Sequence, residues 1–155
     1  MAAFADLCIS SGALRRLRSF TMTTQVPMYL NDPDWVKHVV HLLSDSPLEI
    51  FQICSSGLAK NTLIADELWT QLLLTHGERL LRITVHHALL SWQAMISICF
   101  KCTKLKQFFF NVPRDYFVRI LMFSFPARIH ILNVLYAGFT GSLFIFVNGS
   151  EDSPH

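Results

Sequence analysis

The chain has 155 residues, of which 52% are hydrophobic and 15% charged, with 13 Phe and a formal net charge of +2. That length and apolar content suit one compact domain with an appendage and exclude wholesale disorder, which needs fewer apolar residues and more charge. Six glycines exclude a collagen-like chain, the scarcity of charge excludes a coiled coil, and +2 gives no case for a nucleic-acid partner.

The first 28 residues form a basic lead. Arg15, Arg16 and Arg18 stand among Ser and Thr, and Asp6 is the single acid before Gln25. This is the composition of a mitochondrial presequence, with a flexible terminus as the alternative. A secretory signal fits less well, because the apolar stretch Ala2–Ile9 precedes the basic cluster and carries Asp6.

Residues 29–92 read as a helical unit. Asn31, Asp32 or Asp34 can cap a first helix, and Pro33 suits its first turn. Trp35, Val36, Val39, Val40, Leu42 and Leu43 follow at spacings of three and four. Ser44-Asp45-Ser46-Pro47 ends that helix and opens a second, in which Leu48, Ile50, Phe51 and Ile53 continue an apolar face until Ser55-Ser56-Gly57. A third helix is expected from about Leu58 to Leu74, with Leu63, Ile64, Leu68, Trp69, Leu72 and Leu73 inward. Thr75-His76-Gly77 would stop it, with Gly77 free to turn left-handed. Leu80 to Leu90 is a helix or a strand, since Ile83-Thr84-Val85 favours the latter.

The stretch Asn31–Leu73 resembles an F-box. It offers Trp35, Val36, Val39 and Leu43 for the first helix, Pro47-Leu48-Glu49-Ile50-Phe51 for the turn, and Leu63-Ile64-Ala65-Asp66-Glu67-Leu68-Trp69 for the close. The resemblance implies a mainly α fold, a small helical bundle. It implies an adaptor function: docking by helix packing onto a Skp-type adaptor of a cullin ubiquitin ligase, in the cytoplasm or nucleus. Pro47, Leu48, Glu49, Phe51 and Ile53 would then meet the partner, while Trp35, Val39, Leu43, Leu68 and Trp69 would form the core. The same residues would equally form the core of any other small helical bundle.

Residues 93–155 differ in composition. Residues 31–92 hold seven acids and four bases, whereas residues 93–149 hold one acid and six bases, and ten of the 13 Phe lie at or after Phe100. A boundary is therefore expected near residue 92. Lys101, Lys104 and Lys106 followed by Phe108-Phe109-Phe110 could serve a nucleic acid or an anionic membrane, but reads more simply as a solvated edge beside a buried aromatic strand. Tyr116–Phe123 could be strand or helix. Ile131–Val147 is 17 residues without charge, at the short edge of the spanning range, so a membrane helix is one expectation. The alternatives are a small membrane-associated protein anchored there, or an alternatively spliced end without selected structure. The second of these predicts a tail that does not pack well against residues 31–92.

Signals for chemistry are sparse. Cys99 and Cys102 form a CxxC pair, but no second pair or ordered His pair completes a zinc site, and reduced structural thiols are the simpler reading. Cys8 and Cys54 stand apart. His38 and His41 could share a metal with Asp45, and His86 and His87 are adjacent, yet neither forms the His-Glu-x-x-His arrangement. The carboxylate pairs Asp32/Asp34 and Asp66/Glu67 suit helix caps. No nucleophile elbow, phosphate loop or dinucleotide fingerprint is present. The expectation is a non-enzymatic interaction protein without cofactor or metal.

Overall fold

The computed structural model describes residues 2–24, 30, 32–55, 62–113, 129–137 and 140–147, with the segments beyond Asn111 given by backbone path and register. Helix and strand alternate in order: α1 (Ala2–Ser10), β1 (Ser19–Thr24), α2 (Pro33–Leu43), β2 (Ile50–Ser55), α3 (Asp66–His76), β3 (Arg82–Leu89), α4 (Trp92–Lys101), β4 (Gln107–Pro113), β5 (Ile129–Ala137) and β6 (Thr140–Val147). The strands form one sheet in the order β1-β2-β3-β4-β6-β5. The first four are parallel, β6 runs antiparallel to β4, and β5 antiparallel to β6. The mainly α expectation is therefore wrong. This is an α/β protein.

Helix α2 forms as the sequence dictates. The Asp32 carboxylate accepts from the Asp34 N–H at 3.0 Å, Pro33 occupies the first turn, and Trp35, Val36, Val39, Leu42 and Leu43 are buried. Helix α3 begins at Asp66 rather than near residue 58. Ahead of it the chain is extended, with Leu63 bridged to Leu89 and the Ile64 N–H on the Leu89 carbonyl at 3.0 Å. The expected start at 58–61 lies outside the described residues. Gly77 does close α3, but in a right-handed conformation (φ −49°). Its smallness matters for another reason: a Cβ there would lie 2.6 Å from the Leu73 carbonyl oxygen.

The helix expected over Leu48–Ile53 is strand β2. Phe51, Ile53 and Ser55 alternate inward with Ile50, Gln52 and Cys54 outward, a period of two that a helix cannot satisfy. What selects the strand is pairing on both sides. The N–H groups of Glu49 and Ile50 meet the Arg18 carbonyl at 2.8 and 2.9 Å, and those of Leu81 and Arg82 meet the Glu49 carbonyl at 2.8 and 3.1 Å. The Leu80–Leu90 ambiguity resolves the same way, as β3.

Parallel strands in sequence order, joined by right-handed crossovers, place their connecting helices on one face. The helices accordingly form one layer: α1 beside α2, α2 beside α3, α3 beside α4. Register aligns Phe20, Phe51, Ile83 and Phe108 in one inward row, and Met22, Ile53 and Val85 in the next. These rows meet Val39, Leu43, Leu68, Trp69, Leu72, Met95 and Ile98 from the helices in one core. Phe51 is central, stacked on Phe20 (6.0 Å between centroids) and edge-on to Trp69 (5.8 Å).

The expected break at residue 92 falls between β3 and α4, inside this core. Met95, Ile98, Cys99, Phe108 and Phe110 are buried in the same cluster as Trp35 and Leu43, so the chain through Phe110 packs against the preceding unit. The basic lead supplies α1 and the edge strand β1. Ile131–Val147 is the pair β5 and β6, with Ala137 opposite Thr140, and not a membrane helix. Among the described residues no helix is long and apolar enough to cross a membrane. Tyr116–Phe123 lies outside the described residues.

Candidate functional site

A parallel βα repeat sorts its connections. Every helix-to-strand connection lies at the amino ends of the strands, and every strand-to-helix connection at the carboxyl ends. In this chain the sorting also separates charge. The connection into β1 carries Arg15, Arg16 and Arg18; the one into β3 carries Arg79 and, at the strand's first position, Arg82; the one into β4 follows Lys101 and carries Lys104 and Lys106. All eight are exposed. Among the described residues the acids at this rim are Asp6, Asp45, Glu49 and Glu78, so eight cations against four acids leave an excess of four positive charges. At the opposite rim, among the described residues, Asp32, Asp34, Asp66 and Glu67 stand with Lys37, an excess of three negative charges.

The amino rim is an ordered row. Backbone bonds tie Arg18, Glu49, Leu81 and Lys106 side by side, the last through Lys106 N–H on the Leu81 carbonyl at 2.8 Å. With about 4.8 Å between neighbouring strands, three intervals set Arg18 and Lys106 roughly 14 Å apart. Glu49 sits within the row and pairs with Arg18 at 3.3 Å, which offsets one cation. The turn into β4 is anchored from below: Cys102 and Leu105 are buried, with the Cys102 N–H on the Ile98 carbonyl at 2.9 Å and the Leu105 N–H on the Cys102 carbonyl at 3.2 Å. Lys101 and Lys104 are thereby held outward. The C-termini of α2, α3 and α4 end at this rim, and Lys101 in the last turn of α4 complements that helix's dipole.

The residues expected to meet a partner are placed differently. Leu48, Phe51 and Ile53 are 0% exposed, Pro47 is half-buried, and half-buried Glu49 is engaged with Arg18. Leu48, Phe51 and Ile53 serve the chain's own core and present no surface. The expected core set, Trp35, Val39, Leu43, Leu68 and Trp69, is buried.

Among the described residues, the groups able to do chemistry lie in separate places. Cys54 and His86 are cross-strand neighbours on the sheet face opposite the helices. The imidazole of His86 leans on Phe109, 4.4 Å between centroids, and burial followed by the His87 charge lowers its pKa. His87 has φ 57°, a left-handed conformation, where the β3–β4 register shifts between Thr84 and Leu89. At the carboxyl rim the Ser91 hydroxyl caps α4 through the Ala94 N–H at 2.9 Å and donates to the Asp66 carboxylate. His41 pairs with Asp6 at 3.0 Å rather than with His38 and Asp45. The Cys99 and Cys102 thiols are buried and unbridged. Among the described residues no three His, Cys, Asp or Glu side chains gather to hold a metal.

Sequence reading saw the rim's cations only in separate pieces, as a targeting lead and as a solvated edge. Their common feature, a position just ahead of a strand, becomes visible once 50–55 and 82–89 are recognised as strands.

No protein-family model and no curated protein matches the chain. Among solved structures, the 16S rRNA methylase RmtB is similar at 12% identity and a TM-score of 0.33, over 95% of this chain and 74% of that one. A likeness of that size transfers no chemistry, and methylation is a property of that protein. The described residues form a two-layer α/β protein with an excess of cations at one rim of the sheet and of acids at the other.

Proposed function

We propose that this chain is a binding module that engages an anionic macromolecule through the amino rim of its sheet. The observation that supports the reading is the charge separation: eight exposed cations from three connections are brought to one edge, although the whole chain carries only +2. Like charges gathered this way repel one another, and a polyanion relieves that repulsion while releasing its own counterions. The total charge is small because 13 bases stand against 11 acids in the chain, and the fold sets the described ones apart at two rims.

The test is fluorescence anisotropy of labelled polyphosphate at about 50 and 200 mM salt, a range over which several phosphate contacts lose orders of magnitude in affinity. A triple reversal, Arg82→Glu, Lys104→Glu and Lys106→Glu, is compared with the native chain after thermal melts confirm folding. Binding that weakens steeply with salt and with the reversal supports the reading. Equal affinity for both chains, or binding indifferent to salt, overturns it.

A further inference from the structure

Independently of the polyanion reading, we infer that the open edge of β1 docks a second copy of this chain, the two β1 strands pairing antiparallel about a two-fold axis. β1 stands at one end of the sheet, and among the described residues only β2 pairs with it. The Arg18 carbonyl bonds toward β2. Alternation along a parallel ladder then turns the N–H and C=O groups of Ser19, Thr21 and Thr23 to the open side. Proteins usually blunt such an edge with Pro, charge or a bulge. Ser19–Thr24 holds no Pro and no charged residue, and its register with β2 runs without a shift. The opposite edge strand, β5, does carry a shift, between Ile131 and Asn133.

Apolar surface continues from this edge. Phe20 and Met22, on the helix side of β1, are only half-buried. Helix α1 lies beside α2, whose other flank is taken by α3, so α1 sits at the β1 end of the helix layer. Asp6 reaches α2 through His41 at 3.0 Å. Phe4, two residues or about 200° of helical turn away, is therefore on the flank turned from α2, and Leu7 follows it by three residues on the same side. Phe4 and Leu7 are 61% and 65% exposed.

Two observations select a second copy over an unrelated strand. Ser19 and Thr23 are spaced evenly about Thr21, so a two-fold axis there sets Thr21 opposite itself and Ser19 opposite Thr23. The open N–H and C=O groups of all three are then paired, and their hydroxyl side chains meet across the joint. Charge fits the same alignment. It brings Arg15, Arg16 and Arg18, at the amino end of β1, toward Asp32 and Asp34 of the other copy, which follow the carboxyl end of its β1. A parallel alignment would crowd the arginines of both copies together.

The experiment is sedimentation equilibrium of the full chain from about 1 to 200 µM, a range that reveals a micromolar equilibrium. The expected result is a reversible rise from monomer to dimer mass. Thr21→Pro removes an N–H on the open side and leaves the β2 side intact, so it should raise the dissociation constant about tenfold or more, because the axis counts each loss twice. Thr21→Val keeps that N–H and should still dimerise. Phe4→Ser with Leu7→Ser, at exposed positions, should also weaken the dimer, and it decides the matter if Thr21→Pro fails to melt like the native chain. Reversing Arg15 and Arg16 to Glu should weaken the dimer more than reversing Arg82, Lys104 and Lys106, which lie further along the sheet. A monomer at every concentration, a dimer indifferent to both the Thr21→Pro and Phe4/Leu7 variants, or an equal or opposite ranking of the two reversals overturns the inference. So does a monomer that floats with phosphatidylcholine vesicles through Phe4 and Leu7. None of these outcomes bears on polyphosphate binding, which stands or falls by its own test.

Discussion

His76, near the C-terminus of α3, has its imidazole beside the backbone of Leu43 at the C-terminus of α2, and its Nδ1 has no partner although the residue is only 2% exposed. The Leu43 carbonyl also accepts the Ser46 hydroxyl at 2.7 Å. Burial, followed by the Arg79 charge, holds the His76 pKa below 6.5, and the Leu43 backbone opposes this. The folded chain therefore keeps His76 neutral where the unfolded chain has begun to protonate.

This relation sets a pH dependence. Between the lowered folded value and 6.5 the unfolded state binds more protons, so stability rises with pH and is lost as pH falls below 6.5. His86, shifted in the same direction, adds to the trend. Thermal melts at about pH 7.5 and 5.5, spanning the ordinary histidine range, should show a lower Tm in acid. His76→Gln should flatten that difference while lowering stability at neutral pH.

Gly77→Ala should destabilise by about 1–3 kcal/mol, the usual cost of forcing an added carbon into a packed site. The Cβ would stand 2.6 Å from the Leu73 carbonyl oxygen, which also accepts the Gly77 N–H at 3.1 Å and so cannot easily move. Urea unfolding would show a lower midpoint, and an unchanged midpoint would refute the crowding.

Ser91→Ala removes the cap of α4 and the hydroxyl bonded to Asp66, two helix starts tied across the carboxyl rim. A loss of about 0.5–2 kcal/mol is expected from the cap alone. Ser91→Asp can still cap but places a carboxylate against Asp66, so in thermal melts it should recover less than Ser91→Thr.

Leu48→Asp distinguishes a buried strand entry from an exposed docking anchor. Leu48 is 0% exposed, so the new carboxylate would be buried without a partner. Loss of cooperative unfolding is expected, at a cost above about 4 kcal/mol. A variant that keeps the native Tm would return Leu48 to the surface.

Salt dependence resolves the rim residue by residue. If Arg82 and Lys106 each neutralise one phosphate, Arg82→Gln and Lys106→Gln should each lower the slope of log affinity against log salt by about 0.7 on a single-stranded polyanion. Lys37→Gln, at the opposite rim and beside Asp34 at 3.8 Å, should leave it unchanged.

Much of the first helix was legible because its signals are local. Asp32, Pro33 and the spacing of Trp35, Val36, Val39 and Leu43 act within a few residues, and α2 forms accordingly. Trp69, Leu68 and Leu43 were assigned to the core from apolar spacing alone, and they are there. The misreading of 48–53 has an equally local origin. Leu48, Ile50, Phe51 and Ile53 satisfy a short helical pattern and a strand pattern alike, and periodicity over six residues cannot separate them. The same holds for 131–147, where an uncharged run is compatible with a spanning helix and with two strands.

By itself the sequence determined an apolar, folding chain, the place and caps of α2, the buried identity of its aromatic and aliphatic stripe, and the uneven distribution of charge along its length. Tertiary structure decided which ambiguous apolar segments became strands, because that choice rests on hydrogen bonds to partners distant in the chain, Arg18 to Glu49 and Leu81 to Lys106. It also decided where the charge lies. Parallel pairing of β1 to β4 brings their entries to one edge, so cations separated by up to ninety-one positions, from Arg15 to Lys106, share a single rim.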